Sequence, residues 1–165
     1  MHCIVETTEQ EKVQHWIDGA VEVARKATCL RSKCGSVIVN GGVIIGEGYN
    51  SPAHEDELQR RCNIAKDSYH RKVTDKTCCV HAEQRAIMDA LQKNPAKLIG
   101  ATLYFIRLDE QNNATVAGQP YCTICSKMAL DAGIAEFVLW HKRGICVYTT
   151  EEYNTLSYQY TEEIL

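Results

Sequence analysis

His81-Ala82-Glu83 and Cys122-Thr123-Ile124-Cys125 are the residues of this chain whose types and spacing can do chemistry. One imidazole and two thiolates fill three corners of a zinc tetrahedron and leave the fourth to water, the catalytic kind of site; four protein ligands make the structural kind. Glu83, two residues from the histidine, can stand beside the open corner without ligating. A bound zinc lowers the pKa of its water from about 16 to about 7. Glu83 would take that water's proton and hand it to a leaving group. The chemistry expected is hydrolysis at an electrophilic carbon.

The segments that carry these residues must aim them at one point. Ala82 to Leu91 is rich in helix formers, and Ala86, Ile87, Ala90 and Leu91 recur at helical spacing. Cys122 and Cys125 stand three apart at the start of a second helical stretch, Thr123 to Ala132, so both sulfurs share one face. The positive end of a helix favours thiolate, the form that zinc needs. Two helix N-termini facing one metal is the arrangement expected. Two plainer readings compete with it. Cys79 would close the site as a fourth ligand, which leaves Glu83 without a purpose, and a redox C-x-x-C would need a strand-to-helix turn that the sequence lacks.

These motifs resemble the H-x-E…P-C-x-x-C signature of the cytidine deaminase-like superfamily. Within it the chain is most similar to the deoxycytidylate (dCMP) deaminase branch. Arg31 to Asn40 resembles the first strand with its leading loop, and Ile45 to Asn50 the second strand with its substrate-binding asparagine. Thr102-Leu103-Tyr104 and Ala132-Gly133-Ile134 match later segments, and residues 10–145 are covered. Three positions depart from the pattern: Tyr121 separates Pro120 from Cys122, Arg85 replaces an asparagine, and Ser51 replaces a glycine.

The resemblance implies a three-layer α/β/α fold with a mixed five-stranded sheet, one domain over 1–165 with an insert at about 51–78. It implies hydrolytic deamination of a cytosine-type nucleotide, dCMP to dUMP plus ammonia. In that reaction water attacks C4, while Glu83 protonates N3 and then the departing amine. His81, Cys122 and Cys125 would be zinc ligands, Asn50 would bond the sugar or ring edge, and the Ala82 N–H would face the ring carbonyl. A homo-oligomer is expected by the same analogy. Some relatives hold a second, structural zinc in the insert, for which His54, Cys62, His70 and Cys78 are the candidate ligands. The plainer reading there is a solvated loop whose cysteines pack. The insert's mixed charges also offer cations to a phosphate.

Composition narrows the substrate. The formal charge is −3, and residues 150–165 carry Glu151, Glu152, Glu162 and Glu163 with no lysine or arginine. A polynucleotide ligand needs a basic face, so a small nucleotide or nucleoside is preferred to tRNA or DNA. Tyr153, Tyr158 and Tyr160 are read as packing residues of a helix or an oligomer interface rather than as a base-stacking platform. Rivals that keep the chemistry are deamination of cytidine, of guanine, or of tRNA adenosine. The rival from another class is a non-enzymatic zinc module that binds nucleotides.

With 45% hydrophobic residues the chain can bury one sizeable core. No apolar run approaches the roughly 20 residues needed to span a bilayer. The acidic start, with Glu6, Glu9 and Glu11, does not look like an export signal, so the nine cysteines are read as reduced and the location as cytoplasmic. Cys29, Cys34 and Cys146 are expected in the core. Helices are expected over Glu9–Cys29 and from Thr150 onward. Strands are expected over Gly35–Asn40, Val43–Tyr49, Ala101–Leu108, Glu136–Trp140 and Gly144–Tyr148, the first two joined at Gly41-Gly42.

Overall fold

Val13, Ile17, Ala20, Val21 and Ala24 line one side of helix α1 (Thr7–Ala24), and that buried stripe sets it against a sheet. The structure is a computed structural model and describes residues 2–3 and 7–161. The helix ends at Ala24, short of the expected Cys29. The Thr28 N–H is drawn to the Asn50 carbonyl (3.3 Å), and the next residues run in a loop across the sheet end.

Strands β2 (Lys33–Asn40) and β3 (Val43–Tyr49) form the expected hairpin. Its turn residues Gly41 and Gly42 have φ of 59° and 74°, the left-handed values that a tight two-residue hairpin needs and glycine adopts freely. Next come β4 (Ser51–Pro52), an irregular stretch with three single-turn helices, and β5 (Cys79–Val80), which pairs with β4. Then follow α2 (Ala82–Lys93), β6 (Thr102–Leu108), β7 (Ala114–Thr115), α3 (Thr123–Asp131), β8 (Glu136–His141), β9 (Gly144–Thr149) and α4 (Thr150–Tyr158).

With β1 (His2–Cys3), the main sheet runs β1-β9-β8-β6-β2-β3, and β7 pairs with β6. Only β6 and β8 are parallel among these pairs, so the sheet is mixed as expected. Its five long strands match the anticipated five; the two-residue β1 and β7 extend it to seven. Alternation along the strands makes two cores. Val37, Val39, Tyr104, Ile106 and Val138 pack under α1, while Ile38, Leu103, Phe105, Phe137 and Leu139 pack under α2, α3 and α4. Helices therefore stand on both faces of the sheet, the α/β/α layering expected from the sequence.

Two sequence expectations change here. Cys146 is buried as anticipated but is not a free thiol. The antiparallel register sets Cys3 directly opposite Cys146, and the pair forms a disulfide between β1 and β9. The remaining seven cysteines are free. In the tail, Tyr153 stacks on Phe137 with ring centroids 4.0 Å apart, whereas Tyr158 and Tyr160 are exposed. Glu6, Glu162 and Glu163 lie outside the described residues. No helix among the described residues is long and apolar enough to cross a membrane.

Candidate active site

Close packing of α2 on β3 fixes the first half of the site. A Cβ on Gly48 would lie 2.1 Å from the Ala82 carbonyl oxygen, and one on Gly46 would lie 2.5 Å from that of Ala86. Two missing side chains therefore let the helix settle onto the strand, with Ala82, Ala86 and Ala90 as its contact row. His81 precedes the first helical turn, and its N–H donates to Gln84 Oε1 (2.9 Å), which anchors the helix start. Glu83 then falls on the inner side of the first turn and is 2% exposed.

Helix α3 brings the thiols. Cys122 caps it, its sulfur accepting the Cys125 N–H at 3.3 Å, and this contact helps to hold the sulfur as thiolate. His81 Nδ1 lies 3.3 Å from both Cys122 Sγ and Cys125 Sγ, and the two sulfurs are 2.7 Å apart. The three donor atoms lie within 4.8 Å of one another. At the usual bond lengths, a tetrahedral zinc would set its sulfurs about 3.7 Å apart and each about 3.5 Å from the nitrogen. A shift of about 1 Å at one thiol admits the ion, so the donor set fits it. Cys79 does not join this trio.

Electrostatics agree with that chemistry. Hydrogen bonding from Cys125 and the neighbouring His81 outweigh burial and lower the Cys122 thiol to about 5, whereas the thiol of Cys125 is pushed far up by its bond to Cys122. The bond to Cys122 raises His81 to about 9 against the effect of burial. Burial raises Glu83 to about 7, which suits a carboxyl group that must both take and give a proton.

Asn50 and Ala82, the two residues named as substrate contacts from the sequence, line the cavity with Glu83. Asn50 already serves the backbone: its Oδ1 accepts the Cys34 N–H and its Nδ2 donates to the Ser32 carbonyl, both at 2.8 Å. It ties the loop before β2 to the end of β3, with one amide hydrogen left for a ligand. Of the three departures from the family pattern, only Tyr121 lines the cavity. Arg85 turns outward, donating to the Pro52 carbonyl (2.8 Å) and lying over the Tyr49 ring, and Ser51 is buried in β4.

The insert makes the opposite wall, and it brings together two of the four residues expected there. Cys62 and Cys78 do meet, with sulfurs 3.1 Å apart. Their companions are Cys29 and Cys79, not His54 and His70: Cys29, Cys62 and Cys79 lie within 4.8 Å of one another, and Cys78 Sγ is 3.8 Å from Cys79 Sγ. His54 belongs to a separate surface hollow beside Arg85, and exposed His70 accepts the Lys72 N–H. Burial opposes ionisation of Cys62, yet hydrogen bonds from Leu30, Cys78 and Arg60 bring it down to about 7. Arg31 pins this wall through the carbonyls of Cys62 (2.8 Å) and Ile64 (2.9 Å).

Sequence reasoning passed over Arg107, which lines the cavity from β6. Its signal was a single charge in an otherwise apolar strand, Thr102 to Leu108. Altogether the cavity, of about 130 Å³, is lined by Arg31, Arg61, Lys66, Lys76 and Arg107, with Glu83 as its one carboxylate. A cationic pocket in a chain of charge −3 favours an anionic ligand.

The comparisons with known proteins agree with this geometry. Residues 10–141 match the family model described as the cytidine and deoxycytidylate deaminase zinc-binding region. The deoxycytidylate deaminase of Mycobacterium phage D29 is 30% identical over 131 residues, 76% of this chain and 91% of that protein. That of Schizosaccharomyces pombe is 30% identical over 81 residues, 46% of this chain; the chain spans 24% of the yeast protein's length. The fold is that of the cyanophage S-TIM5 dCMP deaminase, solved with dCMP and dUMP, at a TM-score of 0.55 and 21% identity over 81% of this chain and 82% of that one. With a histidine and two helix-borne thiols converging beside a buried glutamate, in a segment that the family model spans, this chain belongs to the cytidine and deoxycytidylate deaminase zinc-binding family.

Proposed function

We propose that this protein is a zinc-dependent hydrolase that deaminates dCMP to dUMP and ammonia. The cation-rich lining of the cavity carries the choice of a nucleotide over a nucleoside or free base. The dCMP deaminases among its relatives support the same choice. One catalytic domain, with residues 51–78 as an insert that walls the cavity, is part of this reading.

His81, Cys122 and Cys125 would hold zinc, which when bound supplies a water acidic enough to ionise near neutral pH. Glu83 takes the proton of the attacking water and delivers it to N3 as the C4–O bond forms. Glu83 then takes the remaining proton from the new C4 hydroxyl and passes it to the exocyclic nitrogen, so that C4=O forms as the C4–N bond breaks and ammonia leaves. The Ala82 N–H, in the first turn of α2 where no intrahelical acceptor is available, would donate to the ring carbonyl. Asn50 orients the sugar or ring edge with its remaining amide hydrogen, and burial around Glu83 keeps bulk water from its proton.

Cys29, Cys62, Cys78 and Cys79 replace the ligand set expected from the sequence as the candidate for a second, structural zinc. Four converging thiols form the closed kind of set, and they sit where a loop with little regular structure needs a tie. A homo-oligomer and a cytoplasmic location complete the reading.

Ammonia release from the zinc-loaded protein is the direct test, with dCMP, CMP, deoxycytidine, cytosine, guanine and adenosine as the panel. Preference for dCMP is expected. Turnover of deoxycytidine alone would remove the nucleotide reading, and silence across the panel would favour the non-enzymatic module.

A further inference from the structure

We propose that Arg107 grips the anionic end of the substrate, the phosphate of a pyrimidine nucleotide, and so sets the preference for nucleotide over nucleoside. This rests on the dCMP reading above and names the residue that reading lacks.

The register of β6 places Arg107 there. Leu103, Phe105 and Arg107 share one face of the strand, and the first two are buried beneath α2. One step further along, the same face leaves the core, and Arg107 reaches the cavity opposite Cys34 on β2. It also lines the neighbouring hollow of about 540 Å³, shared with Arg31, Ser32 and Lys33 on one side and Asp109 and Glu110 on the other. The guanidinium therefore stands where the tight space beside Glu83 opens into room for a sugar and its phosphate.

Its hydrogen bonding is incomplete. Arg107 Nε is buried and has no hydrogen-bond partner, a state that buried donors rarely keep without a ligand or water to answer them. The group it faces is the Cys34 thiol, which burial raises to about 11 and so keeps neutral. Asp109 and Glu110 line the outer hollow with it, but no ion pair joins Arg107 to either carboxylate among the described residues. The other lining cations differ. Arg31 is spent on two backbone carbonyls, Arg61 is exposed and bonds Gln59, Lys66 is exposed, and Lys76 leans on the Tyr69 carbonyl at 3.5 Å. A guanidinium held by a strand also suits phosphate better than a mobile ammonium, since its fork can bond two oxygens at once.

The test compares dCMP with deoxycytidine as substrates, and dUMP with deoxyuridine as ligands in calorimetry, for wild type and Arg107→Gln. Losing a charged hydrogen-bond donor should collapse the preference for the phosphorylated partner by about 100-fold in both measurements, mostly through KM. Arg107→Lys, which keeps the charge but not the fork, should lose about 10-fold and serves if the glutamine variant misfolds. An equal loss on phosphorylated and unphosphorylated partners, or a preference that survives, overturns the proposal and moves the phosphate to the insert. Wild type that turns over deoxycytidine but not dCMP would instead refute the nucleotide reading itself.

Discussion

Two thiol clusters face each other across one cavity, and they are built in different ways. His81, Cys122 and Cys125 stand on the first turns of α2 and α3, and α2 is seated on β3 by Gly46 and Gly48. Cys29, Cys62, Cys78 and Cys79 come from three stretches of loop and the two-residue β5, tied by Arg31 and Arg60. The first cluster has a buried carboxylate beside it; the second, among the described residues, is thiols alone. Regular elements fix donors in a geometry that leaves a coordination corner open for chemistry. On the proposed reading, the loop thiols would close on a second ion and give the loop the order that its backbone cannot supply. The difference teaches that the same ligand type would make a reactive site or a staple according to what stands beneath it.

The largest effect should come from the feature that separates the clusters. Glu83→Gln is expected to cut kcat by about 10⁴-fold while zinc content stays at the wild-type level. If zinc is lost with activity, Glu83 is a ligand and the first cluster is closed like the second. Next, Cys125→Ser should abolish turnover, whereas Cys62→Ser should keep turnover and lower zinc from about two equivalents to about one, with earlier thermal unfolding. Equal zinc content in wild type and Cys62→Ser would remove the second ion.

The footings can be tested in the same way. Gly48→Ala places a methyl group against the Ala82 carbonyl and should cost about 3 kcal/mol in denaturant unfolding. The accompanying shift of α2 should lower kcat by about 100-fold. Arg31→Ala frees the insert from its two carbonyl bonds and should cost about 2 kcal/mol, read as faster proteolysis between residues 51 and 78. The smallest effect belongs to Arg85→Asn, which restores the family's residue outside the cavity. KM for dCMP should hold, and stability should change by less than about 1 kcal/mol in urea melts.

How far the sequence could be read follows the same division. The C-x-x-C spacing is legible because residues three apart return to one helical face, and H-x-E because its histidine and glutamate fall together at a helix start. The glycines at 41–42 announce the hairpin for an equally local reason. The second cluster is less legible because its members meet through the insert's path, which no period encodes; spacing favours the nearby His54 and His70 over Cys29, which lies 33 residues before Cys62. The Cys3–Cys146 bridge was missed likewise, since only the pairing of β1 with β9 brings the two together.

By itself the sequence determined the candidate set His81, Glu83, Cys122 and Cys125, the alternation of helices and strands, and the family. Tertiary structure alone decided which thiols meet in the insert, that Arg85 turns away, and that Arg107 turns in. The physical reason is one of range. Helical and strand periods fix directions over a few residues, but the neighbours of a loop cysteine or a strand-end arginine depend on sheet order and on how far two glycines let a helix approach.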